Sequence, residues 1–393
     1  MSSGDKWLLP EGIEEVLPPH AAELDRLCRQ LLDLFHTWGY ELVLPPLVEY
    51  LDSLLTGSGE DLELQTFKMV DQLNGKMLGI RADTTPQVVR IDVNKLQQDK
   101  PTRLCYLGPV LHTVPVEQGG SRAPMQMGAE LYGHAGFESD VEVLSLMLQT
   151  LHSAGLQDLH VDMNHVGLLQ GLINNLKLKP EQEAEVFDCL ERKAASELET
   201  LFHNWNTDKA HAGVLLKLIQ LTGDFEVLDE IEKLLQGSGD VVLQCLAELI
   251  RTAVGVRERV RNAPLFFDLT ELQGYHYYTG LVFVAYAPGE SQGVAFGGRY
   301  DGIGAAFGHP RPATGFSTDA RRLFDLSPHS YTAEPGIFAP ASDVPGLHEV
   351  IDELRGQGEV VICELPGQTG DKREMGCDRE LVLTRGRWKV QRI

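Results

Sequence analysis

Leu24, Leu27, Leu31, Leu34 and Phe35 recur at steps of three and four, the spacing that turns one face of a helix to a core, and predict a helix from Pro19 to Trp38. Gly39 ends it. The next run, Tyr40 to Val48, carries Leu42, Leu44 and the pair Pro45 and Pro46; proline cannot donate to a ladder, so this reads as a strand at a sheet edge or an interface. Strand-like runs follow at Met77–Arg81, Leu104–Leu107, Met127–Tyr132, Leu159–Met163, Phe266–Leu269 and Leu281–Tyr286. Several are joined by short loops rather than helices, which predicts an α+β fold with an antiparallel sheet and helices packed on it.

Between residues 168 and 260 the pattern turns to helix after helix, as in Leu228, Ile231, Leu234 and Leu235, then Val242, Cys245, Leu246, Leu249 and Ile250. This predicts a helical insertion within a sheet domain spanning residues 1–326. After the turn-rich segment Ser327 to Pro335, a strand at Gly336–Ala339, a helix at Leu347–Arg355 and a strand at Glu359–Cys363 predict a βαβ unit in a small α/β domain, residues 335–393.

The length of 393 residues is enough for a sizeable core and suits two or three domains. Asp and Glu outnumber Lys and Arg by 57 to 34, a net charge of −23, which argues against non-specific nucleic-acid binding and acidic membranes. No run approaches the stretch of about 20 apolar residues that spans a bilayer, and Met1 to Glu14 lacks the order of a signal peptide. A cytoplasmic protein without membrane contact is expected. The six cysteines lie far apart with no C-x-x-C pair, which fits reduced core thiols and no metal site.

Four segments could carry chemistry. Gly274 to Gly280 concentrates Tyr275, His276, Tyr277 and Tyr278 between two glycines, and Gly297-Gly298-Arg299-Tyr300-Asp301-Gly302 follows one strand later. Both could line a pocket for a small polar ring, or simply be glycine turns around a half-buried aromatic strand. Ile80 to Gln87 has the form of a strand end and a helix start, with Asp83 or Thr84 as cap and Pro86 in the first turn. Alternation puts Gln126, Gly128 and Glu130 on one strand face, a pair of polar groups able to hold an ammonium and a carboxylate. Phosphate-loop, nucleophile-elbow and zinc-helix motifs are missing, and so are the paired acids and Thr/Gly-rich loop of a phosphoribosyltransferase.

In this order the segments resemble the catalytic core of a class II aminoacyl-tRNA synthetase, specifically histidyl-tRNA synthetase, from about Leu9 to Leu326. Gly39 to Glu49 looks like motif 1, which builds the dimer interface; Leu104 to Gly133 looks like motif 2; Gly315 to Leu323, with Arg322, looks like motif 3. The resemblance implies a class II antiparallel sheet flanked by helices. It also implies a histidine-binding set of Asp83, Thr85, Gln126, Glu130, Tyr277 and Tyr278, with Arg122, His276, Arg299 and Arg322 as possible additional pocket residues.

The activation chemistry departs from that pattern. Where the synthetase presents an arginine to the α-phosphate, this sequence has Leu111-His112-Thr113-Val114, and the second catalytic arginine is replaced by Gln273. An imidazole and an amide are poor substitutes for a forked cation beside a reacting phosphate. From Gly336 only 58 residues remain, shorter than the synthetase's anticodon-binding domain, so no tRNA partner is expected. The combination resembles the histidyl-tRNA-synthetase-like regulatory subunits of ATP phosphoribosyltransferase, the first enzyme of histidine biosynthesis. That resemblance implies a subunit with no catalytic residues and no cofactor, which binds histidine, dimerises through the motif 1-like region and joins a short catalytic chain in a hetero-octamer. The alternative is a truncated synthetase-type enzyme that activates an amino acid.

Overall fold

The computed structural model describes residues 7–57, 59–115, 120–271, 277–328, 335–368 and 370–393. It forms two compact units, Met1–His329 and Ser330–Ile393. The first unit contains strands β1 (Glu41–Leu42), β2 (Val48–Tyr50), β3 (Phe67–Val70), β4 (Met77–Ile80), β5 (Thr102–Pro109) and β6 (Met125–Tyr132). Then come β7 (His160–His165), β8 (Thr222–Gly223), β9 (Leu265–Asp268), β10 (Leu281–Tyr286), β11 (Ala295–Arg299) and β12 (Ala313–Asp319). Nine of them make one sheet in the order β1-β5-β6-β12-β11-β10-β7-β9-β8, and β2-β4-β3 make a second.

The large sheet is antiparallel from β5 to β7, as the short connections predict, but β1 runs parallel to β5 and β9 parallel to β7. The helix at His20–Thr37 buries Leu24, Leu31 and Phe35. A second helix, Phe137–Ser153, buries Val141, Leu144, Met147, Leu148 and Leu151 in the same core. Each such side chain, fully removed from water, contributes about 1.5–3 kcal/mol. Strand β6 alternates across this sheet. Met127, Ala129 and Leu131 enter the main core, while Gln126, Gly128 and Glu130 face the other way.

The single strand expected from Tyr40 to Val48 is two. β1 ends at Leu42 beside β5, and β2 begins at Val48 beside β4 in the other sheet. Pro45 and Pro46 lie between them, where a missing N–H breaks no ladder. The insertion consists of the helices Val166–Leu176, Pro180–Glu191, Ala195–Asn204, Lys209–Leu218, Val227–Leu235 and Asp240–Arg259. Only part of it has a core of its own, around Leu169, Val186, Leu198, Phe202 and Leu215. Ile231, Leu235, Leu246, Leu249 and Val256 join the main core instead, so the last two helices belong to the sheet domain.

Gly297 and Gly298 lie inside β11 rather than in a turn. A Cβ at Gly297 would stand 2.3 Å from the Phe283 ring and 2.5 Å from the Gly315 carbonyl, so the close approach of β10 and β12 requires glycine there. In the second unit, β13 (Gly336–Ala339), the helix Leu347–Gly356 and β14 (Val361–Cys363) form the expected βαβ unit. A hairpin of β15 (Cys377–Thr384) and β16 (Arg387–Arg392) completes a four-stranded sheet in the order β14-β13-β15-β16.

Candidate functional site

On the β6 face opposite the main core lies a cavity of about 260 Å³, lined by Asp83, Thr85, Glu130, Tyr277, Tyr278, Tyr300 and Gly315 with Phe283, Phe296 and Phe316. Five elements converge on it. The helix Thr85–Ile91 supplies Thr85 at its first turn, β6 supplies Glu130, and β12 supplies Gly315. The tyrosine pair precedes β10 and Tyr300 follows β11.

Glu130 is 1% exposed. Its Oε1 accepts from Thr85 Oγ1 at 3.1 Å and Tyr106 Oη at 3.3 Å, and its Oε2 accepts from Tyr300 Oη. Burial pushes the carboxyl up to about 8 against these hydrogen bonds, and the nearby Asp83 adds to the rise. Gly315 makes room for it, since a Cβ there would lie 1.6 Å from Glu130 Oε2. The aromatic wall is built by contact: the Tyr277 ring stacks on Tyr300 at 5.3 Å and meets Tyr278 edge-on at 5.1 Å. Tyr277 Oη is buried without a hydrogen-bond partner among the described residues. Two carboxyl groups and a tyrosine wall suit a small ring that carries an amine.

The N-cap of the helix Thr85–Ile91 is Thr84, whose side chain makes no capping bond, and Asp83 lies one residue before it: its Oδ1 accepts from the Thr85 backbone N–H at 3.1 Å and from Gln126 Nε2 at 2.7 Å. Gln126 Oε1 in turn accepts from the Thr84 N–H at 2.8 Å. The sequence groups Gln126 with Glu130 in one pocket, but Gln126 has its amide engaged with Asp83 and Thr84 and lines a neighbouring cavity of about 540 Å³. That second cavity shares Phe296 and Ser317 with the first and is edged by His112, Glu290, Asp319, Arg321 and Arg322. His112 is 9% exposed and bonds through Nε2 to the Ala82 carbonyl at 2.9 Å. Arg322 pairs with Glu290 at 2.8 Å.

Two further expected pocket residues serve the scaffold instead. Arg299 is buried and places Nε and Nη2 on Asp140 Oδ2, at 3.1 and 2.9 Å, with Ser139 and the carbonyls of His134 and Gly136 as further acceptors. Its strand turns it to that side of β11, away from the cavity. Arg122 donates to the carbonyls of His112 at 3.0 Å and Glu11 at 3.2 Å and lines neither cavity. His276 and Gln273 lie outside the described residues. Sequence reasoning did not single out Tyr106, Tyr300 or Gly315 as site residues. Tyr300 stood in a segment already marked as pocket-forming, but only the strand order β6-β12-β11 brings it to Glu130.

The histidyl-tRNA synthetase family model matches residues 12–323, and the model for the ATP phosphoribosyltransferase subunit HisZ C-terminal domain matches residues 334–391. An ATP phosphoribosyltransferase regulatory subunit from Thioalkalivibrio sulfidiphilus is 52% identical over 99% of both chains. One from Nitrosococcus oceani is 49% identical over 99% of this chain and 98% of its own. The chain belongs to the family of ATP phosphoribosyltransferase regulatory subunits. Among solved structures this regulatory-subunit fold is similar to an ATP phosphoribosyltransferase regulatory subunit/histidyl-tRNA synthetase from Bacillus halodurans, with TM-score 0.83, 26% identity, and coverage of 94% of this chain and 95% of the other. It shares its fold with a histidyl-tRNA synthetase from Nostoc, with TM-score 0.79 and 17% identity over 96% of this chain and 91% of the other. The regulatory-subunit family thus carries a class II synthetase fold, with a role in histidine biosynthesis.

Proposed function

We propose that this regulatory subunit binds free histidine in the cavity bounded by Asp83, Thr85, Glu130, Tyr277 and Tyr278, and that the bound histidine sets the turnover of a short catalytic phosphoribosyltransferase chain in a cytoplasmic hetero-octamer. The observation that carries the reading is the buried Glu130 carboxyl, ringed by hydroxyls and roofed by stacked tyrosines, at the position where the synthetase resemblance implies a histidine-holding glutamate. An amine leaving water needs an anionic partner, and the tyrosine faces offer an imidazole apolar contact and hydroxyls. Gln126 acts by holding Asp83 in place.

The subunit itself carries out no reaction in this proposal. Adenylate formation concentrates charge on phosphate, and each lost donor at such a centre costs about 3 kcal/mol. At the matching position His112 is instead turned to a backbone carbonyl, and Arg322 is paired with Glu290. Self-association through the motif 1-like region is supported by Leu42, Leu44, Leu47 and Val48, all exposed apolar side chains in one short stretch.

The test assays the catalytic chain alone, with this subunit, and with a Glu130→Ala subunit, across a histidine titration, alongside calorimetry of the isolated subunit. Activity that depends on the subunit, and a histidine response that Glu130→Ala removes, are the expected results. Full activity and an unchanged histidine response from the catalytic chain alone would refute the proposal. Histidine-dependent exchange of pyrophosphate into ATP by the isolated chain would favour the amino-acid-activating alternative.

A further inference from the structure

Away from both cavities, the helix Asp240–Arg259 presents Cys245 and Glu248 three residues apart, on one face. Against that face lies His165, the last residue of β7, 5% exposed. Its Nε2 is 3.6 Å from Glu248 Oε2, and its Nδ1 is buried with no hydrogen-bond partner among the described residues. His165 and Cys245 both pack against Gly167: a Cβ there would stand 3.1 Å from Cys245 Sγ and 3.4 Å from His165 Nδ1, so thiol and imidazole meet at the same glycine. Burial works against charge on His165, but the Cys245 thiol and the Glu248 carboxylate outweigh it and hold the imidazole up to about 9. Pairing with His165 pulls Glu248 down to about 2.

A cysteine sulfur beside an imidazole that a carboxylate in turn faces is the arrangement in which a side-chain nucleophile is assisted by a neighbouring acid–base group. Cys245 is also part-exposed, whereas Cys28, Cys105, Cys189 and Cys377 are buried. Burial pushes the Cys28 thiol up to about 11 and Cys105 up to about 12, which keeps them inert.

We propose that Cys245 is a redox modification site that reacts with hydrogen peroxide, assisted by His165 and Glu248. The Cys245 sulfur anion attacks one peroxide oxygen, an S–O bond forms and the O–O bond breaks. The departing hydroxide takes the proton from His165 and leaves as water. Sulfur loses two electrons, peroxide gains them, and the product is a sulfenic acid that an external thiol can reduce. The site reaches the tyrosine pair by a short route. His165 is paired with Leu281 across β7 and β10, and the Val166 N–H donates to the Gly280 carbonyl at 2.9 Å, two residues after Tyr278. On the histidine-binding reading above, oxidation of Cys245 therefore weakens histidine binding.

The full chain is exposed to dilute hydrogen peroxide with dimedone as sulfenic-acid trap, and labelled cysteines are mapped by mass spectrometry. Cys363 is the internal comparison, a part-exposed thiol 3.6 Å from the Arg355 guanidinium. Cys245 is expected to label at least tenfold faster than Cys363, and His165→Asn to bring it down to the Cys363 rate. Glu248→Gln, on the protein surface, supplies the same test should His165→Asn melt early. Equal labelling of the two thiols, or an undiminished Cys245 rate in a folded variant, overturns the proposal. Histidine affinity is expected to fall severalfold on oxidation and to recover with dithiothreitol, with Cys245→Ser insensitive to peroxide. Fast labelling with unchanged affinity refutes the link to the pocket, while an unoxidised chain that binds no histidine refutes the histidine reading and leaves the labelling result intact.

Discussion

Glu130 is a carboxyl group that the fold removes from water and surrounds with the hydroxyls of Thr85, Tyr106 and Tyr300. With its titration raised from an ordinary 4.5 to about 8, the empty folded protein keeps a proton that the unfolded chain has released. Between those two values stability falls as pH rises, because the folded state binds the extra proton. A ligand amine reverses the preference and favours the carboxylate. Histidine affinity is therefore expected to climb as pH approaches about 8, by at most about tenfold per pH unit for one released proton, and Glu130→Gln is expected to flatten that slope. Calorimetry in buffers of different ionisation enthalpy measures the proton directly. Gly315→Ala puts a Cβ 1.6 Å from Glu130 Oε2 and so displaces the carboxyl; histidine affinity is expected to drop at least about tenfold, as the loss of a charged hydrogen-bonded partner does. Equal affinities for wild type and variant would show that the ligand sits elsewhere.

The elements around the site are fixed to one another by buried guanidinium groups. Arg81, 4% exposed, donates from Nε to the Pro109 carbonyl at 2.9 Å and from Nη1 to the Pro45 carbonyl at 3.0 Å. Gln87 adds a bond to the Pro46 carbonyl at 2.7 Å. The proline-interrupted link between β1 and β2 is thereby anchored to the end of β5 and to the helix Thr85–Ile91. Arg81→Met orphans two carbonyls and is expected to cost at least about 2 kcal/mol, read from urea unfolding. Arg299 binds β11 to the helix Phe137–Ser153 through Asp140, with both side chains buried. Arg299→Met leaves the Asp140 carboxylate uncompensated and is expected to cost about 3–5 kcal/mol in the same measurement. A change within about 0.5 kcal/mol for either variant would contradict its role as a buried tie.

At the scale of the molecule, several apolar positions that the core does not use lie on and just before β2. Leu44 is 76% exposed, with Leu47, Val48 and Tyr50 beside it in sequence, and the register of the small sheet puts Met69 on the same face as Val48 and Tyr50. Exposed apolar side chains gathered in this way mark a candidate contact surface, the one the proposed self-association would use. Leu44→Glu is expected to shift the isolated subunit to a smaller species in sedimentation velocity while its melting temperature stays close to wild type. An unchanged sedimentation coefficient would remove the motif 1-like region from the interface.

Local physics made some of this legible in the chain itself. The three-and-four spacing of Leu24 to Phe35, the helix start at Thr84 and Thr85 with Pro86 in the first turn, and the alternation of β6 are decided within a few residues, and each stands in the fold where the sequence puts it. β11 was illegible because its glycines serve neighbours far along the chain, Phe283 and Gly315, and on their own read as a turn. Gln126 and Glu130 share a strand face, yet only tertiary structure assigned them to different cavities, since Asp83 takes the amide of one and three hydroxyls from other elements surround the other. The sequence by itself determined most of the helices and many of the strands, the family resemblance and much of the pocket's chemical inventory. Strand order decided which of those groups meet, because burial and hydrogen bonding act across space between residues such as Glu130 and Tyr300 whose separation along the chain carries no signal.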